Sequence, residues 1–106
     1  ICWASWCKSC RTEHPDLNVL YRKYKDKGFE MIGVSFDKDK QKWKQAIAKD
    51  LLQWTQTIDP KAFEGEMAKY YDIEAIPANF LLDKEGKIIG GGLTPAEIEA
   101  MIVKFL

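Results

Sequence analysis

The stretch WASWCKSC, residues 3–10, places two cysteines three positions apart, directly after a short apolar run. An apolar run of this kind is typical of a buried strand, and a helical pattern begins around Cys7 to Cys10. The pair therefore lies where a strand passes into a helix. Such a pair can be a redox centre, half of a metal site, a short structural disulfide or a reduced pair that only packs.

Two of these alternatives have little support in the rest of the chain. A zinc site needs four ligands, and besides the pair the chain offers only Cys2, which we expect to be buried in the strand, and His14. A structural disulfide stabilises most when it closes a long loop, and a Cys7–Cys10 bond would constrain almost nothing. A redox role is favoured, and packing of a reduced pair stays open.

The start of a helix favours a negatively charged sulfur at Cys7. Unpaired backbone N–H groups and the positive end of the helix dipole point to this position, and Lys8 adds a positive charge. Cysteines in such Cys-x-x-Cys sites have pKa values from about 3.5 to about 7, compared with about 8.5 for a free cysteine. Cys10 lies one turn further in, so we expect it to stay protonated until it attacks a mixed disulfide at Cys7.

The composition excludes several functional classes. The 106 residues suit one domain, with 46% hydrophobic and 30% charged residues. Sixteen Lys and Arg balance sixteen Asp and Glu, so no overall charge attracts the chain to nucleic acid or to an anionic membrane. No apolar run approaches the roughly 20 residues that span a bilayer, and the sequence contains no signal-peptide pattern. Three cysteines are too few for a disulfide-stapled miniprotein.

The first half of the chain alternates between helical and strand patterns. A first helix begins near residues 7–10 and ends at Gly28, and Pro15 should kink its first turns. A strand covered on both faces follows over residues 29–36, and then comes a polar turn. A second helix and a short strand over residues 54–58 come next. The stripe residues of the two helices are Leu17, Leu20, Tyr21 and Tyr24, and then Trp43, Ala46, Ile47 and Leu51.

The second half predicts a short helix, a hairpin and a final helix. The short helix lies around residues 63–71, and the hairpin spans residues 78–90 with a turn at residues 83–86. Thr94 and Glu97 form a capping box that begins the last helix. The buried stripe of that helix consists of Ile98, Met101, Ile102 and Phe105. Early alternation and a late hairpin indicate an α/β domain, a mixed central sheet with helices on both faces.

The motif resembles a known family at this point. Residues 3–11 look like the active-site signature of thioredoxin-fold proteins, and Glu13 and Pro15 continue it in the manner of TlpA/ResA-type thiol-disulfide oxidoreductases. Ile76-Pro77 looks like the cis-proline of the family, and residues 77–86 resemble the strand and turn after it. Pro77 follows Cys10 by 67 positions, and the extra residues 39–58 look like the TlpA-type insert.

The resemblance covers essentially the whole chain and implies a thioredoxin-like fold. The N-terminal hairpin of the family is missing, so we expect residues 1–106 to be a single thioredoxin-like domain from a longer chain.

The resemblance implies a role for each residue of the motif. Cys7 matches the nucleophile and Cys10 the resolving cysteine, and Glu13 matches an acid that exchanges a proton with the resolving thiol; an exposed first-turn acid is the alternative for Glu13. A cis Pro77 would place the Ile76 backbone beside Cys7, where a partner chain can pair as an added strand. The remaining substrate-binding candidate is Trp6, at the rim of the site.

Other residues depart from the family or carry less weight. Ser9 replaces a proline often found before the second cysteine, and the acid of thioredoxins six residues before the first cysteine would fall at Ile1. We expect Cys2 to be a small buried hydrophobe and His14 to be a helix-surface side chain. The remaining expectations are that Trp43 and Trp54 belong to the core and that Lys38, Lys40, Lys42 and Lys44 are solvated.

The function implied by the resemblance is exchange of electrons with protein dithiols and disulfides through Cys7 and Cys10, more as a reductase than an oxidase. No cofactor or metal is needed, and an upstream thiol-disulfide donor would supply the electrons. We expect a monomer in a bacterial periplasm or cell envelope, with room for a membrane tether outside this chain. The alternative is a thioredoxin-fold binding or metal-handling module without redox turnover.

Overall fold

The computed structural model describes all 106 residues, Ile1–Leu106, and contains five strands and four α-helices. Short 3₁₀ turns at Lys25–Lys27 and Ala62–Glu64 extend the first and precede the third helix. In chain order the elements are β1 (Cys2–Trp3), α1 (Lys8–Tyr24), β2 (Ile32–Ser35), α2 (Lys40–Lys49), β3 (Thr55–Ile58), α3 (Glu66–Tyr70), β4 (Phe80–Leu82), β5 (Ile88–Gly91) and α4 (Pro95–Phe105).

The strands form a parallel and an antiparallel part joined beside the cysteine motif. β1, β2 and β3 are parallel in the order β1-β2-β3, with Cys2 opposite Val34. β4 and β5 form an antiparallel hairpin. An isolated antiparallel bridge between Cys2 and Ala78 connects β1 to the segment that leads into β4. The predicted mixed α/β architecture is confirmed, and the bridge brings the segment after Pro77 against the strand that ends at the cysteines.

The two residues of β1 point to opposite faces of the sheet, as the period of two requires. Trp3 is fully buried in a core cluster with Leu17 of α1 and Ile98 of α4. Cys2 lies in a second cluster on the other face, which includes Ala68 of α3. Helices therefore cover both faces, and the strand that leads into the active-site motif is held from two sides.

Helix α1 begins and ends where the local signals predict. Cys7 is its N-cap, with extended backbone angles, and its sulfur accepts a hydrogen bond from the Cys10 amide. Leu17, Leu20 and Tyr24 form its buried stripe. The 3₁₀ turn after the helix ends at Gly28, whose φ of 95° is left-handed and favours glycine.

The hairpin and the last helix also confirm the sequence predictions. The hairpin turn is closed by Asp83, whose carboxylate accepts hydrogen bonds from the amides of Glu85 and Lys87, both at 2.9 Å. In the capping box, Glu97 N–H donates to Thr94 Oγ1 at 3.2 Å, and Thr94 N–H donates to the Glu97 carboxylate at 2.9 Å. No helix of the chain has both the length and the apolar character needed to cross a membrane.

Several boundaries and burial expectations are wrong. The β2 strand covers only residues 32–35, and Ile32 is exposed. The spacing predicts Leu51 on the buried stripe of α2, but that helix ends at Lys49, and Leu51 is exposed with a φ of 55°. Phe105 is exposed in the last turn of α4. Asp37, expected in a polar turn, is buried because three hydroxyl and amide groups donate to its carboxylate.

Candidate active site

The two cysteines of the motif are joined as a disulfide at the N-terminus of α1. Cys10 N–H donates to Cys7 Sγ at 3.3 Å, and Ser9 Oγ lies 3.5 Å from the same sulfur. A sulfur that caps a helix accepts from amides that have no partner within the helix. The geometry thus provides what stabilises a thiolate on Cys7 once the disulfide is reduced.

Exposure differs sharply along the motif. Trp6 is 63% exposed, whereas Cys7 retains 6% of its surface and Cys10 3%. Lys8 and Ser9, between the cysteines, are both exposed. A partner would therefore meet the exposed Trp6 and the Lys8–Ser9 pair before it reaches the small accessible part of Cys7.

The segment around Pro77 lies against the first cysteine. The Ile76–Pro77 peptide bond is cis, and the Ile76 carbonyl oxygen is 4.0 Å from Cys7 Sγ. Ala78, the next residue, forms the backbone bridge to Cys2. Neither the amide nor the carbonyl of Ile76 pairs with another backbone group. An unpaired backbone edge thus lies beside the Cys7 sulfur, and Pro77 itself is exposed.

Glu13 is half-buried on α1, three residues after Cys10 and hence on the same face of the helix. Burial raises the pKa of its carboxyl group, and the charge of the neighbouring Asp16 raises it further. No side chain or backbone group donates a hydrogen bond to the Glu13 carboxylate, so nothing offsets the effect of burial. The carboxyl group is therefore more easily protonated than an ordinary surface glutamate.

The expectation that His14 lies on the helix surface is wrong. The residue is only 1% exposed, and its ring meets the rings of Trp3 and Trp54 edge-on, with centroids 4.9 and 5.9 Å away. Its Nδ1 lies 2.7 Å from the Asp50 carboxylate. Burial lowers the pKa of His14, although the hydrogen bond with Asp50 opposes the shift. The spacing Cys10, His14, Leu17 could have indicated this, because all three share one helix face.

Two further charged residues near the site have no sequence signal that pairs them. Arg11 follows the second cysteine, and its Nε and Nη2 donate to the Asp50 carboxylate at 2.9 and 2.8 Å. Asp50 caps the C-terminus of α2, in the segment that resembles the insert. Arg11 Nη1 also donates to the Ser5 carbonyl at 3.2 Å, so this pair reaches the turn before Cys7.

The remaining expectations concern the core and the surface. Cys2 is a free, buried cysteine, and burial raises the pKa of its thiol. Trp54 is buried and Trp43 packs partly buried against the same cluster, so their core placement is confirmed. The lysines at positions 38, 40, 42 and 44 are exposed as expected. No cluster of three or more His, Cys, Asp or Glu side chains has the geometry to hold a metal ion.

Known proteins resemble this chain over nearly its whole length. The sequence model of the thioredoxin-like family matches residues 1–88. The ResA thiol-disulfide oxidoreductase of Bacillus thuringiensis subsp. konkukian is 36% identical over 105 residues, which are 96% of this chain and 59% of that protein. The chain thus spans less than two thirds of the ResA relatives that it matches.

Solved structures show the same likeness. A thiol-disulfide oxidoreductase from Bacteroides fragilis is 36% identical with a TM-score of 0.91, and the match covers 99% of this chain and 77% of the other. The thioredoxin domain of a thiol-disulfide oxidoreductase from Bacteroides vulgatus is also 36% identical, with a TM-score of 0.90 and coverage of 98% and 74%.

Proposed function

The chain belongs to the thioredoxin-like family, among its thiol-disulfide oxidoreductases, and from this premise we propose that it exchanges electrons with protein partners through Cys7 and Cys10. One observation carries the proposal. The two cysteines form a disulfide at the start of α1, and the sulfur of Cys7 accepts a hydrogen bond from the Cys10 amide at 3.3 Å. Such a position stabilises the thiolate, which is the attacking form of a cysteine.

The proposed reaction proceeds through a mixed disulfide. The Cys7 thiolate attacks one sulfur of a partner disulfide, so that a new bond joins Cys7 to the partner while the second partner sulfur leaves as a thiolate. Cys10 then loses its proton and attacks Cys7 Sγ, which forms the Cys7–Cys10 disulfide and releases the first partner sulfur. Two electrons pass to the partner, and an upstream thiol donor restores the dithiol. The direction proposed is that of a reductase.

Glu13 is the proposed proton acceptor for Cys10. Its half-buried carboxyl group has a raised pKa, which brings it closer to the range in which it can exchange a proton with a thiol. Glu13→Gln should therefore alter the pH dependence of exchange and leave the melting temperature unchanged. An identical pH profile would remove Glu13 from the mechanism.

The proposed docking site for a partner consists of Trp6, Ile76 and Pro77. Trp6 offers a large exposed ring at the rim, and the unpaired Ile76 backbone lies 4.0 Å from the reactive sulfur. An extended segment of the partner could pair with this backbone as an added strand, which would bring its own cysteine to Cys7.

The proposed location is extracytoplasmic, in the periplasm or cell envelope of a bacterium. Its support is the family resemblance, together with the rule that protein disulfides persist mainly in oxidising compartments. The proposed partners are proteins with disulfides or dithiols, and the domain is proposed to act as a monomer.

Trapping of the mixed disulfide tests the function. In Cys10→Ser the second step is blocked, so Cys7 should remain bonded to its partners when the variant is expressed in a bacterial envelope. Non-reducing gels followed by mass spectrometry would show adducts that disappear on reduction. The control is Cys7→Ser, which lacks the attacking sulfur. Equal capture by the two variants would contradict the proposal and would favour a binding module without redox turnover.

A further inference from the structure

A partly buried ion-pair network lies next to the cysteine motif, and its histidine is fully buried. Asp50 accepts two hydrogen bonds from Arg11, at 2.9 and 2.8 Å, and its Oδ2 lies 2.7 Å from His14 Nδ1. The Asn18 side chain donates to the Asp50 carbonyl at 2.9 Å. The carboxylate is 14% exposed and His14 1%. Hydrogen bonds between charged groups therefore fix α1 to the end of α2.

Because His14 is uncharged, the network contains one cation, Arg11, and one anion, Asp50. Burial lowers the pKa of His14, so the ring is neutral near pH 7 and Nδ1–H donates to Asp50. Burial alone would raise the pKa of Asp50, but the bonds from Arg11 and His14 outweigh it and lower that pKa. Arg11 is then the one charged partner of the ionised Asp50, and its Nε and Nη2 each bind a different oxygen of the carboxylate.

The network reaches the turn that precedes the reactive sulfur. Arg11 Nη1 donates to the Ser5 carbonyl at 3.2 Å. On the other side of the same residue, Ser5 N–H and Oγ–H donate to the Asp37 carboxylate at 2.9 and 2.6 Å. Ser5 is therefore held at its amide, its hydroxyl and its carbonyl, two positions before Cys7.

We infer that Arg11 and Asp50 are positioning residues for Cys7, which hold the Ser5–Trp6 turn so that the Cys7 sulfur stays over the start of α1. The inference rests on the proposed function, because it concerns the reactivity of the same dithiol. The α2 segment then contributes to the site, because Asp50 at its C-terminus supplies the carboxylate that holds Arg11.

Geometry and charge make opposite predictions for Asp50→Asn. Removal of a negative charge, which leaves Arg11 unpaired, would by electrostatics alone favour the Cys7 thiolate and lower its pKa. Loss of the clamp would let the sulfur move away from the helix amides and raise that pKa. The sign of the change therefore separates a positioning role from a field effect.

Arg11→Lys tests geometry at constant charge. A lysine keeps the positive charge but cannot bond both carboxylate oxygens and the Ser5 carbonyl together. We expect the rate of alkylation of reduced Cys7 by iodoacetamide, measured from pH 4 to pH 9, to fall about 3- to 10-fold on the acid side. The equilibrium constant for reduction of the disulfide by glutathione should fall by a similar factor, because the reduced state loses its stabilised thiolate.

Asp50→Asn should change both quantities in the same direction as Arg11→Lys. The matched control is Lys23→Gln, which breaks an exposed ion pair of the same helix and should leave both quantities at the wild-type values. Melting temperatures of all variants separate a local effect from general loosening. If Asp50→Asn does not fold, Arg11→Lys alone decides.

The outcomes separate the inference from the proposed function. A wild-type Cys7 that reacts no faster than a free thiol at mildly acid pH would contradict the proposed function. A fast wild-type Cys7 with unchanged rates and equilibria in Arg11→Lys would overturn the inference and leave the function standing. Faster alkylation in Asp50→Asn would also overturn it, in favour of a field effect.

Discussion

Two of the contacts that tie helix α1 to later parts of the chain share one design, in which a single carboxylate accepts hydrogen bonds from two side chains of the helix. Near the cysteines, Asp50 binds Arg11 and His14. At the other end of the helix, Glu99 of α4 accepts from Lys23 Nζ and the Tyr24 hydroxyl, each at 3.0 Å. These two tethers, Asp50 with Arg11 and His14 and Glu99 with Lys23 and Tyr24, have the same design but differ in their exposure to solvent.

The surroundings decide how much each tether contributes. The Lys23–Glu99 pair is 57% and 38% exposed, so water and salt screen it. Asp50 and His14 are 14% and 1% exposed, so any partner left alone there keeps its desolvation cost. The two tethers therefore differ most in the cost of losing one partner, which is high at Asp50 because the groups left behind stay out of water.

The largest expected effect comes from Asp50→Ala. The substitution leaves buried His14 and half-buried Arg11 without their acceptor, and we expect the free energy of unfolding to fall by about 2 to 3 kcal/mol. Urea denaturation followed by tryptophan fluorescence measures it. Lys49→Ala, an exposed neighbour in α2, is the control and should be near wild type. If the free energy of unfolding fell no further in Asp50→Ala than in Lys49→Ala, the proposed difference between the two tethers would be wrong.

An intermediate effect is expected from the protonation of His14. Its pKa is lowered in the folded protein, so between that value and the unfolded pKa of about 6.5 the unfolded chain binds more protons. The contribution of neutral His14 to the free energy of unfolding is therefore fully present above about pH 6.5. As the pH falls below that value, the free energy of unfolding decreases by up to about 1.4 kcal/mol per pH unit. Denaturation curves from pH 7.5 to pH 5 measure this slope.

His14→Phe isolates the contribution of the histidine. His14 is the single histidine of the chain, so the variant should have a flatter pH dependence between pH 6.5 and pH 5 whatever its absolute stability. Parallel curves would mean that the buried tether has no acid sensitivity of its own.

The smallest effect is expected at the exposed tether. Bonds from Lys23 and the Tyr24 hydroxyl lower the pKa of Glu99, but the group is open to solvent. Glu99→Gln should change the melting temperature by about 2 °C or less, and 0.5 M salt should shrink the difference further. A change as large as that of Asp50→Ala would show that burial is the wrong explanation for the contrast.

Local signals allowed much of the fold and the centre of the site to be predicted. The Cys7–Cys10 spacing, the Thr94–Glu97 capping box and the turn at residues 83–86 each work through bonds within a few residues. Such signals need no knowledge of the rest of the molecule. The position of Pro77 beside Cys7, by contrast, followed only from the family resemblance.

Tertiary pairing explains what the sequence could not predict. Asp50 lies 36 positions after His14 and 39 after Arg11, and no local pattern joins them. The spacing of Leu51 predicts a place on the stripe of α2, yet the helix ends before it and Leu51 itself has a left-handed backbone conformation. Buried polar groups find partners across the fold, so helical spacing can indicate that His14 faces the core but not that Asp50 is its partner.

Cys2 gives the protein a hidden thiol with a practical consequence for assays. It is 3% exposed and faces the second core cluster, and burial raises its pKa. In the proposed mechanism Cys7 of the reduced native protein attacks a chromogenic disulfide reagent and Cys10 then displaces it, so the motif titrates as two sulfurs, whereas the denatured chain presents all three. The third sulfur, that of Cys2, reacts only when β1 separates from its sheet, so the rate at which it is labelled reports the rate at which the core opens.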